Sequence, residues 1–249
     1  MSGHSHYATI KRQKGLKDAA KGKIFSKLAR IIQIAVKTGG GSDPLSNYKL
    51  RMAIDTARSE NMPKDNIDRA ILRASSEAQN IDEVTYEGIG PGGISVIIET
   101  TTDNRNRTSQ EIKNMFERGG GRLAGPGSVS FNFIQKGFIV VEKSSNVEDQ
   151  ILKIIDAGAE DVEETKDGIE IYFDPQMFSE VKHNLEILNF KIISSQVTMK
   201  PINSQILSDL ATASKAINFL DKIEEHEDVQ KVYTNLDIPE AIINALSTS

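Results

Sequence analysis

The 249-residue chain contains no cysteine, no tryptophan, only five tyrosines and nine phenylalanines. Nowhere does it hold an apolar run approaching the roughly 18 residues that a membrane span requires. Without cysteine there is neither a disulfide framework nor a thiol nucleophile, a composition that fits a reducing compartment. The first residues lack the apolar stretch of a signal peptide. The lysine-heavy spacing around Gly15 and Gly22 is unlike a continuous Arg-rich, Ser-rich presequence. A cytoplasmic protein with no membrane partner is therefore expected. Histidine is scarce as well: His4 and His6 lie in the N-terminal tail, and His183 and His226 fall in regions predicted helical with no serine or carboxylate motif around them, so no catalytic residue, metal or cofactor is assigned and no enzymatic activity is expected.

Charge is abundant and unevenly placed. The first 37 residues carry nine of the thirty lysines and arginines against one acid, Asp18, while the whole chain sums to −5. To Arg73, fifteen bases stand against six acids, a formal +9 that leaves −14 on the remaining 176 residues. A concentrated field of one sign suits a polyanion, and its separation from an acidic body suggests a binding head carried by domains that do not themselves hold nucleic acid.

Hydrophobic periodicity divides the chain further. Ile24, Leu28, Ile31, Ile32 and Ala35 recur at helical spacing over 24–37, with Lys23, Lys27, Arg30 and Lys37 in a stripe opposite them. Gly39 to Gly41 end that helix, Asp43-Pro44 is read as the start of a second, and Pro63 opens a third, giving a small helical bundle. Strands follow at Val84 to Ile89 and Ile94 to Thr101, then a helix capped by a Thr108/Glu111 box, then a third strand at Val129 to Phe133. From Gly137 the order is β-α-β-β-α-β, the split βαβ arrangement of ferredoxin-like domains. A tail helix near 208–225 and a strand near 228–233 remain to complete the earlier set. The expected architecture is α+β and multi-domain: a basic helical domain over 1–80, a middle α+β domain over 81–134 plus 202–249, and a ferredoxin-like domain inserted over 135–201.

Several motifs invite chemical readings. Gly88 to Gly93 matches the dinucleotide fingerprint literally, but a strand follows where a helix N-terminus is needed, so it is read as a turn. Asp103-Asn104-Arg105-Asn106-Arg107-Thr108 lies between a strand and a helix start, where two arginines suit a phosphate; turn chemistry, with the arginines paired to local acids, accounts for it equally. The acidic cluster Glu160, Asp161, Glu163, Glu164, Asp167 and Glu170 reads as a solvated, repulsive face. With Met1 removed, Ser2-Gly3-His4 offers a square-planar nitrogen set for Cu(II) or Ni(II), which is read as adventitious. The same tail, with His6 and Tyr7 ahead of Lys11-Arg12, is suited to folding onto nucleic acid.

Taken together, Gly3-His4-Ser5, Lys23 to Leu28, Asn61-Met62-Pro63-Lys64-Asp65-Asn66-Ile67, Tyr86-Glu87-Gly88 with Gly90-Pro91-Gly92-Gly93, Thr102 to Thr108 and Gly127-Ser128-Val129 resemble the YebC/PmpR family over nearly the whole chain. That family comprises presumed transcriptional regulators and includes mitochondrial translational activators. The resemblance implies a helical domain and two α+β domains, the third inserted in the second, with a cavity between domains, no known enzymatic activity, and binding of promoter DNA or ribosome-linked RNA. The chain departs from the family at Tyr7, usually tryptophan, and His6, often lysine. Carried over, nucleic-acid binding falls to Lys11, Arg12, Lys14, Lys17, Lys21, Lys23, Lys27 and Arg30, with Arg105 and Arg107 as a second contact. The expected function is a DNA-binding transcriptional regulator. The alternative is a translation factor on ribosomal RNA or a protein-interaction adaptor, the acidic domains meeting protein partners.

Overall fold

A computed structural model of the protein describes residues 19–76, 82–165 and 168–247. The chain forms two compact units, one within Lys14–Pro126 and Ser214–Val232, the other within Gly127–Ala213 and Tyr233–Ser249. The fold is α+β with antiparallel sheets, as the periodicity suggests.

The first unit begins with α1 (Ala19–Thr38), α2 (Tyr48–Ser59) and α3 (Lys64–Ser76). Leu28, Ile32, Leu50, Ile54, Met62 and Ile67 supply their shared core. The second helix starts later than Asp43-Pro44. Asp43 instead accepts from the Leu45 amide in a local turn at 3.0 Å. The cap is Asn47, fully buried, whose Oδ1 accepts from the Leu50 amide at 2.9 Å while Nδ2 donates to the carbonyls of Ala35 and Gly41, both at 2.7 Å. One amide thus caps α2 and closes the end of α1, which an aspartate, lacking a donor, cannot do. Gly39 permits this approach, since a Cβ there would lie 2.1 Å from Asn47 Oδ1.

The same unit continues with β1 (Asp82–Ile89) and β2 (Ser95–Thr102), an antiparallel hairpin with register Asp82↔Thr102 to Ile89↔Ser95. Its turn is a short 3-10 segment, Pro91–Gly93, so the glycine run makes a bend between strands. Then come α4 (Arg105–Gly119) and β3 (Arg122–Ala124), which pairs with Glu87 to Ile89. The third strand is therefore not Val129 to Phe133: Ser130–Asn132 is a 3-10 turn, and Phe133 opens a strand of the other unit. The Gly119–Gly121 break returns the chain to β1 at once. There a Cβ on Gly121 would sit 2.5 Å from the Ile89 carbonyl. The tail contributes α7 (Leu210–Glu224) and β9 (Val229–Thr234), and β9 lies beside β2, giving the sheet order β3-β1-β2-β9. Phe116 of α4 meets Phe219 of α7 edge-on, centroids 5.1 Å apart.

The other unit holds β4 (Phe133–Val141), α5 (Val147–Asp156), β5 (Asp161–Thr165), β6 (Gly168–Phe173), α6 (Phe178–Ile187) and β7 (Ile192–Pro201). Their order in the sheet is β5-β6-β4-β7, all neighbours antiparallel, the split βαβ arrangement. β4 runs straight through Gly137, where a Cβ would meet the Phe173 ring at 2.2 Å. That glycine marks close packing within a strand, not a strand's beginning. A two-stranded parallel pair, β8 (Gln205–Ile206) with β10 (Leu236–Asp237), and α8 (Glu240–Ser247) follow. The acidic cluster is paired rather than repulsive: Lys136 meets Glu160, Lys143 meets Glu164 at 2.8 Å, and Lys200 meets Asp161 and Glu163. Glu170 is buried and accepts from the Tyr172 hydroxyl at 2.9 Å; Asp167 lies outside the described residues.

Candidate nucleic-acid interface

The ten sequence-assigned contacts fall into three groups. Lys11, Arg12, Lys14 and Lys17, like Ser2-Gly3-His4 and Tyr7, lie outside the described residues. Lys21 and Lys23 are carried on the first turns of α1, and Arg105 stands exposed at the first residue of α4. Lys27, Arg30 and Arg107 are engaged within the protein.

The stripe on α1 opposite the apolar face does not simply face water. Lys27 Nζ donates to the carbonyl of Glu224, the last residue of α7, where unpaired carbonyls and the helix dipole favour a cation. One turn on, Arg30 Nη2 lies 2.8 Å from Asp228 Oδ1, and its side chain is only 22% exposed. The reason is Asp228 itself, whose side chain has no exposed surface. A buried carboxylate persists only when countercharges and donors surround it.

Those partners come from two helices, α1 and α4. Arg107 Nη2, on α4, donates to Asp228 Oδ2 at 2.9 Å, and the Thr108 hydroxyl donates to the same oxygen at 2.6 Å. Thr108 also stands 2.7 Å from the Thr102 hydroxyl at the end of β2. The Arg30 contact is ionic in distance but off hydrogen-bond alignment, leaving Asp228 Oδ1 and Arg30 Nε without a hydrogen-bonded partner among the described residues. Burial alone pushes the Asp228 carboxyl upward. Hydrogen bonds from Thr108 and Arg107, with the charges of Arg30 and Arg107, outweigh it and hold the group below its ordinary range. The hydrogen bond to Asp228 correspondingly raises Arg107. Arg107 also bonds Asp103 at 2.9 Å, so the local-acid reading of the 103–108 segment describes this arginine, while Arg105 is left outside the cluster.

Local structure explains why Thr108 is available. The cap of α4 is Asn104, whose Oδ1 accepts from the Arg107 amide at 3.1 Å, so the Thr108/Glu111 box does not form. Both side chains are freed: Thr108 for Asp228, Glu111 for His226 at 3.0 Å. His226 Nδ1 accepts from the Asp228 amide at 3.2 Å, which places the ring proton on Nε2, facing Glu111.

Glu111, His226 and Asp228 bring one ligand atom each within 4.8 Å of one another. The donor set fits a cation poorly. Both Asp228 oxygens are already within 2.9 Å of a guanidinium, and both imidazole nitrogens are committed. Two fixed positive charges beside the carboxylate oppose a third. The cluster is a structural ion network that joins the helical bundle to the sheet of its own unit.

Among the described residues no helix is long and apolar enough to cross a membrane. Residues 5–77 match the family described as "TACO1/YebC protein N-terminal domain", and residues 81–236 match "TACO1/YebC second and third domain". A Dictyoglomus turgidum protein named "Probable transcriptional regulatory protein" is 45% identical over 99% of this chain and 100% of its own length. A Methylacidiphilum infernorum protein of the same name is 46% identical over 98% of both. The crystal structure of a conserved hypothetical protein from Aquifex aeolicus superposes with a TM-score of 0.79 at 44% identity, covering 90% of this chain and 93% of that one.

Proposed function

The chain belongs to the TACO1/YebC family, and from that premise we propose that it is a cytoplasmic, non-enzymatic regulator of gene expression that binds nucleic acid through its basic N-terminal domain. The observation that carries this reading is the segregation of charge, +9 to Arg73 against −14 beyond it. The named relatives make duplex DNA the first target to test. Ribosomal RNA is the second, because phosphate contacts position a protein without reading sequence. The acidic α+β domains are free to meet protein partners.

The contact set is narrower than the charge count. Lys27, Arg30 and Arg107 hold the protein together, so binding is assigned to Lys11, Arg12, Lys14, Lys17, Lys21, Lys23 and Arg105. Salt titration of binding to duplex DNA, ribosomal RNA fragments and intact ribosomes tests this. Seven phosphate contacts predict a log–log slope of about −6 on duplex DNA, whereas ten predict about −9. The double substitution Lys21→Gln/Lys23→Gln should flatten the slope by about 2. A slope near zero on every probe would remove the basic domain from the binding account.

A further inference from the structure

The start of α2 brings an exposed aromatic ring together with two cations. Tyr48, the first residue of the helix, is 61% exposed, and Leu45 three residues earlier is 85% exposed. The other described aromatics of this unit turn inward: Tyr86, Phe116 and Phe219 are buried, and Phe25 packs against the core of the bundle. A lone exposed ring is ordinary on a protein surface. This one has a partner, because the Arg51 guanidinium carbon stands 5.7 Å from the centre of the Tyr48 ring, within the reach of a cation–π contact.

Neither cation is tied to a carboxylate. Arg51 is exposed and makes no ion pair among the described residues; Asp55, one turn further on, lies 3.7 Å from Arg58 instead. Lys49 is exposed as well, and its Nζ meets the Thr38 hydroxyl at the end of α1 at 3.5 Å, again with no ion pair among the described residues. Asp43, the nearest acid before the helix in sequence, accepts from the Leu45 amide at 3.0 Å. Lys27, Arg30 and Arg107, by contrast, are all held by partners within the protein.

Each feature narrows the ligand. Cations without carboxylates call for an anion, and an open ring face calls for a flat π-surface. A nucleotide carries both, whereas an acidic peptide segment supplies the charge without the flat face. In a continuous duplex the neighbouring base pairs cover the faces of each base, so a protein ring reaches one only where it is unpaired. Resting on the nucleic-acid reading above, we propose that Tyr48 is a stacking platform for one unpaired base, with Arg51 ordering the ring from its other face and, together with Lys49, holding the flanking phosphates. The guanidinium can serve both purposes because its plane lies on an aromatic face while its N–H edge stays available to phosphate. Stacking tolerates any base, so the platform separates unpaired from paired nucleic acid and not one sequence from another. It adds to the seven phosphate contacts assigned for duplex, none of which senses pairing.

The test uses the full chain with an oligothymidylate and an oligouridylate, each carrying one central 2-aminopurine, and each presented both free and annealed to its complement. Tyr48→Ala should weaken binding of the free strands about 5- to 150-fold, as the loss of one base–aromatic stack does, and leave the duplexes unchanged. Tyr48→Phe keeps the ring and should stay within about twofold of wild type. The 2-aminopurine emission of the free strands should fall further with wild type than with Tyr48→Ala. Arg51→Gln and Lys49→Gln should each flatten the salt slope on the free strands by about 0.7 and leave the duplex slope as it was. All three positions are exposed, so the variants keep the wild-type fold, which circular dichroism checks. The arm with the greater loss in Tyr48→Ala identifies the sugar. Free-strand binding that survives Tyr48→Ala, an equal loss on free strand and duplex, or a loss in Tyr48→Phe as large as in Tyr48→Ala would each overturn the platform and leave the basic domain's phosphate binding standing. So would a polyglutamate peptide whose binding Tyr48→Ala weakens as strongly as that of the free strands, an outcome that gives the patch to an acidic protein segment. Binding to none of the nucleic-acid probes would overturn the nucleic-acid reading and the platform with it.

Discussion

Replacing Asp228 with asparagine should destabilise the unit that contains it by about 2–3 kcal/mol. The substitution conserves shape and keeps an acceptor for Thr108, so what it removes is the charge facing Arg30 and Arg107. Breaking a buried ion pair by deleting one partner costs about 3–5 kcal/mol when the remaining charge is stranded. Here the stranded groups are 22% and 38% exposed, and Arg107 keeps Asp103 at 2.9 Å, which lowers the figure. The direct probe is hydrogen exchange at the Thr101 amide, which donates to the Asp228 carbonyl at 2.8 Å. About 2–3 kcal/mol corresponds to about 30- to 150-fold faster opening. Acidity supplies an internal control. The folded Asp228 carboxyl is held below its ordinary value, so its stabilisation is fully present above the unfolded pKa of about 3.9 and is lost as pH falls through the folded value. The gap between wild type and Asp228→Asn should stay constant above about pH 4.5 and close in stronger acid. A difference below about 0.5 kcal/mol near neutrality, within the ordinary spread of surface substitutions, would refute the claim that this network holds the unit together.

Arg30→Met leaves Asp228 with Arg107 and Thr108, so urea unfolding should show a smaller loss of about 1 kcal/mol and a coupling of at least about 1 kcal/mol with Asp228→Asn in a double-mutant cycle. Asn47→Ala removes a cap and strands two carbonyls, and thermal unfolding should report a loss of about 2–3 kcal/mol, above the usual cap deletion. Asn47→Asp should recover the cap but not the two donor bonds, and fall between. Gly88→Ala drives a Cβ to 2.3 Å from the Phe116 ring and should cost about 1–3 kcal/mol by chemical denaturation, as overpacking does.

What local rules encode was legible. The bundle followed from apolar spacing and glycine stops, and the ferredoxin-like order from alternation and turns, because both signals reside in windows of a few residues. The misplacements arose where two candidates obeyed the same local rule. Asp43 and Asn47 are both acceptable caps, and only burial against Ala35 and Gly41 selects the one with a donor. Val129 to Phe133 alternates better than the three residues of β3, yet β3 wins because the chain emerging from Gly121 already lies against β1. Gly137 has the composition of a boundary and the position of a packing contact.

The site divides along the same line. That the first 73 residues attract a polyanion needs only the charges, which a sequence displays. How many of those charges meet the polyanion depends on partners, and the partners of Lys27 and Arg30 stand about two hundred residues away at Glu224 and Asp228. Nothing around Asp228 marks it in the sequence; it is one acid among several in a polar turn, distinguished by having no exposed side-chain surface. Counting bases therefore sets an upper bound on phosphate contacts, and each buried carboxylate that recruits a guanidinium lowers it.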